Sequence, residues 1–442
     1  MAQVARLHCA LLLAGSALFA PVVVAGELSV APSGSAGDAI AASALTLPEA
    51  IERTLKTHPD LQLFHTREAS LRAASEVAGQ RPPIALGLDA ENFGGTGATS
   101  AADSAEITLS LASVLERGGK REARQSLAVS QLDAMTMTRE ATRLDLIAEV
   151  ARRYLDVVRA QAQARIRAED VEQRARTVAA AAQRVRAGAS PESTRLTAEA
   201  AQVRAELERS RAEGEIAVAY RRLALLWGER NPTPQPIVGN MLELPPIPGF
   251  DALTKLIEHT PELERFATES RLREARLQLA RSERAPDLSW KLGVRRLQEL
   301  GAWSVVASVS VPLGSGRRAE PEIRSAQAEL DSLAVERQSS ELSLFATLAE
   351  AHGRYTADRT EVEQARKDVL PKLQQAEFAT EHAYRAGAIS YLEWAQIQTE
   401  MIDVREQQVA AAHDAQRALI EIQRLTGEPL VQPATDRGEP VP

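Results

Sequence analysis

The residues able to do chemistry are few, and their spacing does not suit it. Beyond the N-terminal segment the histidines are His58, His65, His259, His352, His382 and His413, and they show no metal-ligand spacing. Gly118-Gly119-Lys120 lacks the upstream glycine of a phosphate-binding loop. Asp60 and Glu262 stand in helix-start contexts rather than as a catalytic carboxylate pair. Serine and aspartate are abundant, but no nucleophile motif surrounds them. Cys9 is the only cysteine, and it lies in an N-terminal apolar run, so the processed chain has no disulfide or thiol chemistry. The expectation is a protein that is not an enzyme and takes no cofactor and no resident metal.

The same residue types make sense as punctuation in a chain written twice. Arg186-Ala187-Gly188-Ala189 returns as Arg385-Ala386-Gly387-Ala388, 199 residues later. Gly228-Glu229 returns as Gly427-Glu428 at the same offset. Upstream, the Glu149–Tyr154 segment is echoed by Glu350–Tyr355, and His58-Pro59-Asp60-Leu61 by Thr260-Pro261-Glu262-Leu263. Two like structural units are expected, spanning 45–228 and 251–427, joined by a proline-rich linker over 229–250 and followed by a tail over 428–442.

Composition narrows the class. Aromatic residues make up only 4% of the chain, which is rich in Ala, Arg, Gln and Glu, and this favours long helices. The net charge of −8 argues against nucleic acid as a partner. Arg6, the apolar run Cys9–Val24 and Val23-Val24-Ala25 read as a cleaved secretory signal over 1–25, followed by a small, polar leader over 26–44. Gly15 and Pro21 weaken the alternative of a membrane anchor. Cys9, directly after Arg-Leu-His and ahead of the apolar core, is misplaced for lipidation. No later stretch approaches the roughly 20 apolar residues of a membrane-spanning helix.

Each unit is expected to hold three kinds of element. A helix opens at Thr46 with Pro48 in its first turn, runs to about Gln80 and is interrupted near Pro59; its partner spans about Asp251 to Arg284. Next come two segments of period two, over about 83–114 and again over 286–313. Ile84, Leu86, Leu88 and Ala90 share one face, as do Ile107, Leu109 and Leu111. In the second unit Leu288, Trp290, Leu292 and Val294, then Trp303, Val305, Ala307, Val309 and Val311, alternate with mostly polar residues. Any one segment fits equally a half-buried strand of a soluble sheet. Four of them, as two matching hairpins in an exported chain, point to transmembrane β-strands.

Long helical hairpins follow, over about 119–227 and 319–426. No proline or glycine interrupts 121–186, which as one helix would be about 100 Å long. Leu144, Ile147, Ala151, Tyr154 and Val158 form a short coiled-coil seam there. Gly188 and Gly387 mark the turns, and Pro371 is expected to kink the second long helix.

This fold class is mainly α with a membrane β part. Four strands cannot close a barrel, and open strand edges are not tolerated in lipid. Three chains would supply twelve strands, within the known range of outer-membrane barrels. Their helical hairpins would then stand side by side as an α-barrel, making one water-filled duct.

At this point the chain resembles the TolC-like outer-membrane efflux proteins, in particular their cobalt–zinc–cadmium, heavy-metal branch. The resemblance covers Leu45 to Gly427. Leu45-Thr-Leu-Pro-Glu-Ala50 with His58-Pro59 is shared across the family. Glu91-Asn92-Phe93-Gly94-Gly95, Thr108-Leu109-Ser110-Leu111 and Glu116-Arg117-Gly118-Gly119-Lys120-Arg121 are more typical of the metal branch. Arg117, where that branch has an apolar residue, and Pro312-Leu-Gly-Ser-Gly-Arg-Arg318 depart from its pattern.

The resemblance implies a homotrimer in the outer membrane that extends into the periplasm of a Gram-negative bacterium. It implies a passive duct for divalent metal cations, with a periplasmic adaptor and an inner-membrane RND pump as partners. The adaptor would meet the hairpin tips, at Arg186, Gly188 and Ser190 and at Arg385, Gly387 and Ser390. The family's acidic gate positions fall on Glu393 and on Gln396, which has lost the charge. Their counterparts in the first unit are Thr194 and Thr197, and Tyr391 and Trp394 replace Glu192 and Arg195. Glu393 serves equally well as a solvated residue on a helix face. The same duct could carry drugs, organic solutes or a secreted polypeptide. A periplasmic coiled-coil scaffold without a pore is the alternative of another class.

Overall fold

The computed structural model describes residues 44–97, 103–257 and 260–427. The expected signal, most of the leader, Cys9, His259 and the tail from Glu428 lie outside the described residues.

Each half begins with a broken helix. In the first half, Leu47–Thr57 (α1) is capped by the Thr46 hydroxyl and carries Pro48 in its first turn. It stops at His58, and Pro59–Ala78 (α2) restarts, because proline is disfavoured inside a helix but suits its first turn. The second half repeats this as Phe250–Ile257 (α5) and Pro261–Ser282 (α6).

Strands follow: Ala85–Glu91 (β1) and Glu106–Leu115 (β2), then Leu288–Leu297 (β3) and Ala302–Ser310 (β4). The two hairpins do not stand apart. Strands β2 and β3 pair antiparallel, giving one four-stranded sheet in the order β1-β2-β3-β4.

The register sorts this sheet into two unlike faces. Leu88, Leu109, Val294 and Val305 form one cross-strand row, and Leu86, Leu111, Leu292 and Ala307 the next. These apolar residues point outward: Leu86 is 71% exposed, Leu88 70% and Val305 74%. On the opposite face Thr108 and Ser110 are buried, at 1% and 3%. There Lys291 pairs with Asp89 at 2.6 Å, and Arg295 with Glu106 at 2.6 Å and Glu91 at 3.0 Å. Apolar outside and polar inside is the reverse of a water-soluble sheet and matches a sheet wetted by lipid on its outer side.

Sheet and helices join at a tight corner. Gly118 and Gly119 are both left-handed, with φ of 77° and 75°. At Gly118 an added Cβ would lie 2.5 Å from the Ala285 Cβ and 2.8 Å from the Ser282 carbonyl oxygen. Lys120, buried at the start of the next helix, binds Glu283 at 3.0 Å and Asp287 at 2.9 Å in the other half. The Glu116–Arg121 motif is therefore a strand-to-helix corner.

Lys120–Arg186 (α3) is one helix of 67 residues, and Glu192–Ala224 (α4) runs back along it. Burial around α3 is wider than the coiled-coil seam predicts. Ala151, Tyr154 and Val158 are buried, but so are Leu146, Val150, Leu155 and Val157. The reason is that α1, α4, the linker and the last helix enclose this stretch together.

The second hairpin is Ser315–Gln364 (α7), a π-helical turn over Ala365–Val369, Leu370–Ala386 (α8) and Tyr391–Thr426 (α9). Helix α7 starts four residues before the expected Ala319, so Pro321 falls inside it. At Pro371 the helix widens: the Leu370 N–H bonds the Ala365 carbonyl, five residues back. A π-turn absorbs the proline's missing donor there.

The proline-rich linker is held from both sides. Tyr154 donates to the Val238 carbonyl at 2.6 Å and contacts that of Leu45 at 3.0 Å. Tyr355, its counterpart in the second unit, donates to the Pro245 carbonyl at 2.5 Å. The repeated tyrosines thus secure the segment that joins the repeats.

Candidate functional site

The helical ends farthest from the sheet are two turns of the same construction. Gly188 takes φ of 71° and Gly387 takes φ of 83°. In the first, Gly188 N–H bonds the Val185 carbonyl and Ala189 N–H that of Arg184. In the second, Gly387 N–H bonds Tyr384 and Ala388 N–H bonds Ala383. Both are Schellman turns, which need the left-handed residue that glycine supplies without strain.

The two tips pack on each other. Tyr384, Tyr391 and Trp394 bury their rings against Ala180, Ala181 and Ala198. Arg184 of the first hairpin reaches across. Its guanidinium lies 5.0 Å from the Tyr384 ring centroid and donates to the Tyr384 carbonyl, to the Ser190 hydroxyl at 3.1 Å and to the Ala189 carbonyl at 3.2 Å. The Tyr384 hydroxyl and Trp394 indole N–H are buried without a hydrogen-bond partner. Burial also pushes the Tyr391 hydroxyl above its ordinary pKa.

Above the tips, α3 and α9 are joined by a polar ladder. Gln398 donates to the Thr177 hydroxyl at 2.9 Å, and Arg174 to Thr399 at 3.1 Å. Arg405 pairs with Glu169 at 2.5 Å, Arg167 with Glu406 at 2.7 Å and Arg152 with Glu421 at 2.5 Å. Buried His413 contacts Asp156 at 2.9 Å. Burial works to raise the Asp156 pKa, but the hydrogen bond and charge of His413 outweigh it and hold the group below its usual range.

The structure gathers most of the sequence-nominated residues at these tips. Arg186, Gly188, Arg385 and Gly387 are exposed, and Ser190 is half-buried under Arg184. Arg385 pairs with Glu381 at 2.6 Å on its own helix. Ser390 caps α9, and Glu393 completes a capping box: its carboxylate accepts from the Ser390 N–H at 2.7 Å and hydroxyl at 2.9 Å. Those bonds hold the exposed Glu393 carboxyl below its usual pKa. Gln396 is exposed one turn on. Sequence reasoning missed Arg184 and the ladder. The signal available for Arg184 was its replacement by Ala383 at the corresponding point of the second unit.

Among the described residues, no group of three or more His, Asp or Glu side chains could hold a metal ion. No helix there is long and apolar enough to cross a membrane. What the arrangement offers is a lipid-compatible sheet carrying a long helical extension.

The model of the family described as "Outer membrane efflux protein" matches residues 50–229 and 252–428, most of both halves. The chain belongs to the outer membrane efflux protein family. This efflux protein is 28% identical over 313 residues to the cobalt-zinc-cadmium resistance protein CzcC of Cupriavidus metallidurans, covering 71% of the chain and 75% of that relative. Its fold is similar to that of CusC, with a TM-score of 0.73 at 18% identity, covering 86% of this chain and 91% of that one. VceC of Vibrio cholerae superposes with a TM-score of 0.69 at 18% identity, over 86% and 96% of the two chains. The efflux protein is an outer-membrane protein and not an enzyme.

Proposed function

We propose that three copies of this chain form the outer-membrane exit duct of a tripartite RND-type efflux system, and that its cargo is divalent heavy-metal cations of the cobalt, zinc and cadmium type. The observation that carries the duct is the four-stranded sheet. Its apolar face is outward, its polar face is inward, and its edge strands β1 and β4 are each paired on one side only. Such edges are satisfied in lipid only by closure, and three copies give a barrel of twelve strands. The exposed stripe Leu196, Val203, Leu207 and Val218 on α4 supplies apolar surface for side-by-side packing of the hairpins. The two tips, far from the sheet, are the surfaces for a periplasmic adaptor, which links the duct to an inner-membrane pump.

The metal cargo is supported by the likeness to CzcC and by the exposed acidic residues Glu393, Glu400 and Asp403 along α9. In a trimer the Glu393 carboxylates form a ring that attracts cations. Deleting the gene and challenging the strain with zinc, cobalt, cadmium and antibiotics tests the cargo. Heightened sensitivity to the metals supports it. Unchanged metal tolerance with heightened drug sensitivity reassigns the same duct to drugs or organic solutes.

A further inference from the structure

The lipid-facing side of the sheet has one charged residue among its paired rows. The row nearest the loops is Ala90, Ile107, Arg296 and Trp303. The rows below it carry Leu88, Leu109, Val294 and Val305, then Leu86, Leu111, Leu292 and Ala307, then Ser113, Trp290 and Val309. A guanidinium on this surface needs an explanation, since a cation facing hydrocarbon is costly.

Its neighbours show what is unusual. Lys291 and Arg295 project to the other face, and each has carboxylate partners there. Arg296 instead donates to the Gly301 carbonyl at 2.6 Å and lies 5.4 Å from the Trp303 ring centroid. A guanidinium has five N–H donors, and this carbonyl takes one edge of the fork. The ring and the carbonyl fix the plane of the group and leave donors for an acceptor outside the chain.

Position names the acceptor. Trp303 and Trp290 stand six residues apart across the sheet, about 20 Å at ~3.4 Å per residue. Together they resemble the two aromatic girdles that flank the apolar band of a membrane barrel. Trp303 is the loop-side member, remote from the helices, so Arg296 lies at headgroup depth and not in the hydrocarbon. Arginine binds phosphate bidentately, and stacking on an indole holds the fork flat for it.

We propose that Arg296, stacked on Trp303, binds a phosphate-bearing lipid headgroup of the outer leaflet. The inference rests on the duct reading for which side of the sheet faces outward. Charge complementarity and continuity with the apolar, lipid-facing rows select a lipid rather than a soluble anion. The bound lipid would pin the rim of the barrel at a fixed depth.

The test uses the full chain in micelles, with native mass spectrometry reading retained lipid during titration with phosphorylated lipid A, dephosphorylated lipid A or inorganic phosphate. The phosphorylated lipid should bind several-fold more tightly than the dephosphorylated one in the native chain, a comparison that needs no variant. Arg296→Gln should weaken retention about fivefold, as expected for one arginine near an anionic surface, and Arg296→Lys should restore part of it. Equal retention of the two lipids, or retention unchanged in Arg296→Gln, overturns the proposal. Displacement of lipid by inorganic phosphate at comparable concentration also overturns it, because the site would then be one for a soluble anion. Insertion into phosphatidylcholine vesicles is measured separately: failure there defeats the lipid-facing reading itself, whereas insertion without phosphate dependence defeats only the Arg296 site.

Discussion

Replacing Arg184 with Ala should loosen the paired tips without unfolding the chain. The side chain makes three hydrogen bonds, to the Tyr384 carbonyl, the Ser190 hydroxyl and the Ala189 carbonyl, and stacks on the Tyr384 ring. Half-buried bonds of this kind contribute about 1 kcal/mol each net. The cation–π contact adds roughly 0.5–1 kcal/mol. Opening also returns the buried Tyr384 hydroxyl and Trp394 N–H to water, which offsets part of the cost of opening in the native chain as well as the variant. That offset is common to both chains, so the difference between them is roughly 3.5–4 kcal/mol, several hundredfold in a local opening equilibrium. Amide exchange read by mass spectrometry over 177–200 and 380–398 should accelerate by that factor, while exchange near Tyr154 and Tyr355 stays unchanged. Unaltered exchange at the tips would refute the claim that Arg184 holds them together. Acceleration spread evenly along α3 and α9 would show a global rather than a local role.

Three further outcomes follow from other contacts. Tyr154→Phe removes the donor to Val238 and should cost about 1–2 kcal/mol, read as a lower thermal midpoint. Burial pushes the Tyr154 hydroxyl up to about 12, so its neutral form is favoured by folding. That contribution is complete below the ordinary tyrosine pKa of about 10 and is lost as pH rises toward 12, so native and Tyr154→Phe chains should converge in stability over that window. Gly118→Ala places a Cβ within 3 Å of Ala285 and Ser282 at a left-handed φ, and should lower stability by more than about 2 kcal/mol and reduce barrel insertion in a membrane-fractionation assay. Glu393→Gln keeps a residue type that completes the capping box but removes the charge, so the reversal potential should shift toward lower cation preference with assembly unchanged. An identical reversal potential would remove Glu393 from cation selection.

How much of this was legible in the sequence depended on range. Signals carried by neighbouring residues read correctly: Thr46 as a cap, Pro59 as a break, Gly188 and Gly387 as turns, and alternation at Ile107, Leu109 and Leu111 as a strand. Each follows from backbone chemistry within a few residues. The pairing of β2 with β3 did not, because residues such as Leu109 and Val294 meet only through the fold. The α3–α9 ladder was invisible for the same reason, with partners such as Arg152 and Glu421 separated by 269 positions. Along the helix, Arg152 looks like any solvated cation. Pro371 was visible as a disturbance but not as a π-turn, since the sequence shows the missing donor and not how the carbonyls rearrange. At the tips, the turns at Gly188 and Gly387 were legible, whereas the capping box of Ser390 and Glu393 was not read. Arg184 was not legible either, because Tyr384, the partner through which it joins the tips, lies 200 positions away on the other hairpin. Glu393 was nominated as a gate carboxylate, and the structure adds that its oxygens are engaged by Ser390.

The most direct test of the account is the conductance of the purified chain in a planar lipid bilayer, with the number of copies per channel counted at the same time. The account predicts discrete, long-lived conductance steps from assemblies of three chains. Protein that inserts into the bilayer yet passes no current, even with the tips released by Arg184→Ala, would contradict it.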